Sequence, residues 1–410
     1  MKNFIPKSSL LIAILLAAGA AATHAATCSV PSSTYPTIQT AVDDSACNTV
    51  EVAPGIYSEN VSITRAVTLS GAQAGQPTGN RVSGGPSEST VIGANPTGSR
   101  AVFAVGASGV TIDGFTVKNS VSAGAATGVE VRASNDAVVL NNFIDGIESA
   151  DAAGRAQAVH LRNGLINANV GNNEIRNVTS SSTATGILFG DNDGTEGPQI
   201  AFLHDNTISG ITSTAGCAAG VFAVKVSPMN GSFYFRNGHI SNVTAAGWAH
   251  GVRLEAVDAR NPLTMETEFA GLNSGSGDVA AISFINVPLA YSADSSGNLF
   301  FLADPAYGVR VVGANATLYP GPMSAGCNWW GSADGPGPVA FGHGCRVSPD
   351  VRYSPWRVSP VFFDPSVCVG NNVPTTEAQC KNGGWIVQVR ADGSTFKSQG
   401  DCLQYVNNGK

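Results

Sequence analysis

The segment GVEVR, residues 128–132, recurs along the chain as AVHLR (158–162), GILFG (186–190), GVFAV (220–224), GVRLE (251–255), AISFI (281–285) and GVRVV (308–312). AVFAV at 101–105 reads as an earlier copy. The starts are separated by 27, 30, 28, 34, 31, 30 and 27 residues. A period near thirty residues marks a stacked repeat. The second and fourth residues of every copy are apolar, from Val102/Ala104 and Val129/Val131 through to Val309/Val311. Alternation with one purely apolar face means a strand with that face buried.

A second strand follows in most repeats. NNFIDGI (141–147), NNEIRNV (172–178), DNTISGI (205–211) and NGHISNV (237–243) align at Ile144, Ile175, Ile208 and Ile240. One slot holds Asn142, Asn173, Asn206 and then Gly238. Asparagine and glycine share a tolerance for left-handed backbone, so the slot predicts a tight turn with asparagines stacked from coil to coil. No helical periodicity separates the strands, which excludes βαβ units with their crossover helices. The chain must wind as an all-β solenoid, each strand pairing with its equivalent one coil away. Residues 50–345 hold about ten coils at this period.

The compartment follows from the N-terminus and the cysteines. Lys2 and Lys7 precede an apolar run from Leu10 to Ala22, and THA (23–25) offers small residues for cleavage after Ala25. Residues 1–25 therefore read as a signal peptide, and the run is too short for a membrane span. Cleavage would remove two lysines and no acids, taking the net charge from −7 to −9. With sparse charge and no basic stripe, nucleic acid is not an expected partner, and no stable membrane insertion is expected. All eight cysteines lie in the exported part, which reads as four disulfides. Local pairing suggests Cys28–Cys47, Cys327–Cys345 and Cys380–Cys402, leaving Cys217 and Cys368.

The stretch TIQTAVDDSACNTVEVAPGIYSENVSI (37–63), followed by AVTLSGA (66–72), resembles the opening of parallel β-helix proteins of the pectin-lyase-like superfamily. CNWWGSADGPG (327–337) with VRYSPWRVSP (351–360) resembles the closing coil of secreted bacterial β-helix proteins. The resemblance covers roughly residues 35–360. It implies a right-handed parallel β-helix whose first coil is capped by a short amphipathic helix, and sugar chains commonly lie along an outward face in that superfamily. The fold also carries lyases, hydrolases, esterases and non-catalytic adhesins, so the resemblance leaves activity open. FGHGC (341–345) contains the Gly-His-Gly of polygalacturonases, but their upstream acidic motifs are missing. The expected organisation is a signal peptide (1–25), an N-terminal cap (26–49), the β-helix with its terminal coil (50–370) and a disulfide-pinned hairpin module (371–410). The cap would use Ile38, Ala41 and Val42. Trp329, Trp330 and Trp356 would cover the last coil.

The third and fifth residues of each copy should face solvent. In coil order the third residues are Phe103, Glu130, His160, Leu188, Phe222, Arg253, Ser283 and Arg310, and the fifth include Arg132, Arg162 and Glu255. Adjacent coils lie about 4.8 Å apart, so Glu130, Arg132, His160 and Arg162 form one charged patch. Arg132 beside Arg162 is unfavourable without an anion nearby, supplied by Glu130 or by a ligand carboxylate. The expectation is a groove for an extracellular polysaccharide or cell-surface glycan, with Arg132, Phe222, Arg253 and Glu255 binding it. The alternative is a solvated face with its own ion pairs. Should the face be catalytic, Glu130 or His160 would abstract a proton beside a uronate carboxylate while Arg162 stabilises the developing charge. Asp191, Asp193 and Glu196, in GDNDGTEG (190–197), are the oxygen ligands a Ca²⁺ ion would take, although the EF-hand pattern is absent. A non-catalytic binding or adhesion module, a lyase or glycoside hydrolase, and a structural spacer all remain open at this point.

Overall fold

In a computed structural model, the protein is a parallel β-solenoid. The structure describes residues 26–95, 97–98, 100–132, 134–162, 167–190, 201–224, 233–255, 263–287, 294–302, 304–313, 323–337, 342–349, 351–362, 364–370, 373–381, 383–386, 388–391 and 394–408. The signal-peptide expectation and the calcium-loop residues Asp191, Asp193 and Glu196 lie outside the described residues.

Among the described residues each coil passes through three sheets in turn. Sheet A has nine strands from Ala26–Val30 to Leu263–Met265, sheet B nine from Gly55–Ser58 to Leu299–Phe301, and sheet C ten from Val61–Ile63 to Arg346–Val347. Every neighbouring pair in them is parallel, and equivalent residues of successive coils stand side by side. The repeated segment is sheet C. Its inward residues Val129, Val131, Val159, Leu161, Ile187 and Phe189 are all fully buried. On sheet B, Ile144, Ile175, Ile208, Ile240, Phe269 and Phe300 form one unbroken register column. The copies open on glycine or alanine because that isoleucine column lies against them. A Cβ on Gly186 would come within 2.7 Å of Ile208 Cγ2.

Two expectations about phase need correction. Phe103 pairs with Val129, and Ala104 with Glu130, so Phe103 is a core residue and Ala104 holds the outward place. A one-residue slip exchanges the faces of a strand, and AVFAV alternates in neither phase strongly enough to reveal it. The asparagine slot is not the left-handed position. That conformation falls one residue earlier, at Asn141 (φ 53°), Asn172 (54°), Asp205 (54°) and Asn237 (51°). The turn there swings Asn142, Asn173 and Asn206 into the interior, where they do stack. The Asn173 carboxamide oxygen accepts from the Asn142 backbone N–H at 2.9 Å, and its Nδ2 donates to the Val139 carbonyl at 2.9 Å. The ladder runs on past Gly238 through Thr267, Asn298 and Asn328.

A short helix, α1 (Ile38–Asp43), starts at a capping box between Thr37 and Thr40 and buries Ile38, Ala41 and Val42. The Glu59 carboxylate accepts from the backbone N–H groups of Ile38 and Gln39, satisfying two orphan donors of the first turn. At the other end Trp330 lies in the core, 5.2 Å from Phe300 and 6.4 Å from Tyr353, which leads on to Trp356.

Disulfides join Cys28 to Cys47 and Cys380 to Cys402 as expected, but Cys327 pairs with Cys368 and not with Cys345. The antiparallel pairing of Trp356–Arg357 with Cys368–Gly370 brings the chain back past Cys327. Cys345 instead points into the core beside Gly308, Phe300 and Trp330, and burial pushes its thiol pKa up. It acts there as a small hydrophobe. Cys217 and Cys345 carry no disulfide. The C-terminal module is helical where a hairpin was expected. Helices α2 (Glu377–Cys380) and α3 (Gln399–Asn408) are tied by Cys380–Cys402 around a small core with Phe396, and one antiparallel bridge, Val389 to Thr395, is all that resembles a hairpin among the described residues.

Candidate functional site

Sheet C carries the expected charged patch, and strand register assembles it. Glu130 pairs with His160 and Arg132 with Arg162. The Glu130 carboxylate lies between the cations. Its Oε1 is 2.8 Å from Arg132 Nη2, 3.5 Å from Arg162 Nε and 3.9 Å from His160 Nδ1. It supplies the anion that two neighbouring arginines require. His160 Nε2 lies 3.1 Å from the Gly190 carbonyl. A carbonyl only accepts, so that nitrogen carries a proton and Nδ1 is the one turned to Glu130.

The patch is the middle of a groove crossing the strands of sheet C. Its central chamber, about 410 Å³, is lined by Glu130, Arg132, Asp151, Arg155, His160 and Arg162, among others. A second chamber of about 310 Å³ shares Ala101, Glu130 and Arg132 with it and reaches Asn60 and Val61. A third of about 230 Å³ shares Arg155 and Gln157 and ends at Trp248. The three together span seven adjacent strands, roughly 29 Å at about 4.8 Å per strand. In the central chamber three arginines face two carboxylates. Asp151 is held by the backbone N–H groups of Gly124 and Ala153, which keep its carboxyl below the usual carboxylate range. Arg155 has no side-chain hydrogen bond or ion pair among the described residues.

Farther along, the outward column continues through Leu188, Phe222 and Arg253, in register with Glu130 and His160. These residues were expected to face solvent, yet His160 is 5% exposed and Phe222 and Arg253 are each 8% exposed. Arg253 is covered by Trp248, whose ring centroid lies 4.2 Å from the guanidinium, and it forks onto Glu255 at 2.7 and 3.0 Å. Beside it, His250 Nδ1 accepts from Arg253 Nη1 at 3.3 Å, and Nε2 donates to Asp278 at 3.1 Å. Burial first, then the neighbouring Arg253, hold His250 below its ordinary value of 6.5 against the opposing pull of Asp278.

Register thus brings together Glu130, Arg132, His160 and Arg162. Phe222, Arg253 and Glu255 lie on the same face but beyond the charged chamber. Thr127, Arg155, Gln157, Trp248 and His250 were not singled out from sequence. Thr127, Gln157, Thr185 and His250 occupy one further outward column, immediately before each repeated segment. Extending the aligned repeat by one residue would have found it.

No protein-family model matches the chain, and no curated protein matches it. Among solved structures the chain is similar to the catalytic domain of a GH87 alpha-1,3-glucanase variant in complex with tetrasaccharides, at 11% identity and a TM-score of 0.26. The match covers 70% of this chain, which spans 64% of the length of that one. A likeness of that size carries nothing about activity. No helix among the described residues is long and apolar enough to cross a membrane. The disulfides are consistent with an exported protein.

Proposed function

We propose that the protein is an exported module that binds an acidic extracellular polysaccharide along the groove of sheet C, without cleaving it. The observation that carries this reading is Arg155. It is an unpaired cation among the described residues, it stands between two chambers of a groove about 29 Å long, and it sits beside two further arginines. An elongated anionic ligand complements that arrangement. Hydrolysis would need one carboxyl as proton donor opposite an ionised one. Asp151 is kept ionised by backbone amides, and Glu130, the other acid of the central chamber, is engaged by Arg132 and Arg162.

A second reading, a lyase or hydrolase, is favoured by one contact set. His160 Nδ1 and Arg162 Nε both lie within 4 Å of Glu130 Oε1 at the groove. One experiment separates the readings. Mature protein is run through gels containing polygalacturonate, alginate or a neutral glucan, with calcium or with EDTA, and the polysaccharides are then chromatographed. Retardation by an acidic polymer of unchanged length, weakened at least roughly tenfold in Arg155→Ala, is the expected result. Shortened chains that vanish in His160→Ala would replace binding by catalysis. Retardation by the neutral glucan alone would overturn the acidic reading, and absence of retardation in every polymer would leave a structural spacer.

A further inference from the structure

The Trp248 end of the groove does not match a charged polymer. Leu188, Ala219, Phe222 and Val224 form a hydrophobic cluster on the outside of sheet C, separate from the solenoid core, with Trp248 packed against it. Leu188 and Phe222 sit in the very column that carries Glu130 and His160 two coils earlier. Trp248 is fixed as a wall. Its ring meets Phe222 edge-on at 5.5 Å, lies 5.0 Å from the His250 ring at 28°, and is braced by Arg253. Arg155, Gln157, Thr183, Thr185 and Cys217 complete the lining, with Thr185 in register beside Ala219. The chamber's volume of about 230 Å³ is below the roughly 300–1,000 Å³ of pockets that take whole drug-sized molecules. It has room for a substituent.

We propose that this chamber is a subsite for an apolar acyl or aryl substituent carried by the acidic glycan. The inference rests on the acidic-glycan reading of the groove and narrows it to a substituted polymer. A hydroxyl-rich ring placed on the Leu188–Phe222–Val224 floor would give up its water with no polar side chain beneath it. An acyl or aryl group loses nothing there and gains burial. Arg155 lines this chamber and the charged one alike, so the matching ligand carries a carboxylate next to the apolar group. Trp248 supplies a flat, immobilised wall of the kind that packs against such groups.

The test compares polygalacturonate with the same polymer lightly O-benzoylated, at equal chain length and carboxylate content, in the retardation assay. The benzoylated polymer should reach half-retardation at a concentration roughly tenfold lower or less. Trp248→Ala should bring the two curves together. Val224→Thr, which keeps the side chain's shape but adds a hydroxyl to the floor, should do the same in a protein with an unchanged far-UV spectrum. Equal retardation of both polymers by the unmodified protein would overturn the subsite and leave acidic-glycan binding standing. Retardation by neither would overturn both.

Discussion

His250 donates to Asp278 and accepts from Arg253, so its ring is neutral in the fold. Because its pKa is held below 6.5 in the native state, the unfolded chain takes up a proton that the native protein refuses. Stability therefore falls as pH drops through about 6.5. Asp278 is held below its ordinary 3.8, chiefly by the His250 hydrogen bond, and its contribution is lost at still lower pH. Thermal melting should accordingly move down between pH 7.0 and 5.5, and His250→Asn should reduce that shift while lowering the starting Tm. An equal shift in the variant would show that His250 does not titrate on unfolding. Neither His250 nor Arg155 stood out in the sequence. A lone histidine or arginine in a strand carries no period, and its importance comes from neighbours about thirty residues away.

At the scale of the element, the asparagine ladder connects one coil to the next. Asn173→Ala would strip the Asn142 backbone N–H and the Val139 carbonyl of the partners that the side chain provides. Both are buried, and each unsatisfied group costs about 1–3 kcal/mol. The urea midpoint should fall by an amount equivalent to roughly 2–6 kcal/mol at unchanged m. A midpoint like that of the parent would mean that water replaces the side chain. The ladder's existence was legible, because four aligned segments put asparagine or glycine in one slot. Its direction was not, since Asn141 and Asn142 are chemically identical and only the backbone at Asn141 decides which of them turns inward. The apolar columns of sheet C were legible for the related reason that buried faces repeat every second residue. The phase of residues 101–105 failed because valine, phenylalanine and alanine fit either face.

Over the whole molecule, each coil touches only its neighbours, so stability is a sum of local interfaces. Sequence proximity consequently says little about which distant segments meet at the end of the solenoid. Cys345 lies nearer in sequence to Cys327 than Cys368 does, yet the returning strand at Cys368–Gly370 makes the bond and Cys345 fills the core under Gly308. Trp330 is the largest fully buried side chain there, and it stacks the last coils through Phe300 and Tyr353. Trp330→Ala should cost about 3–5 kcal/mol. In a nearest-neighbour architecture that loss stays local. Hydrogen exchange should accelerate in Leu299–Phe301, Tyr307–Val312 and Arg346–Val347, while Ala126–Arg132 and Ala156–Arg162, many coils away, keep their protection. The groove would then still bind, because its seven strands end before the disturbed coils. Uniform loss of protection along the chain would mean that the solenoid unfolds as one unit, and binding would fall with it.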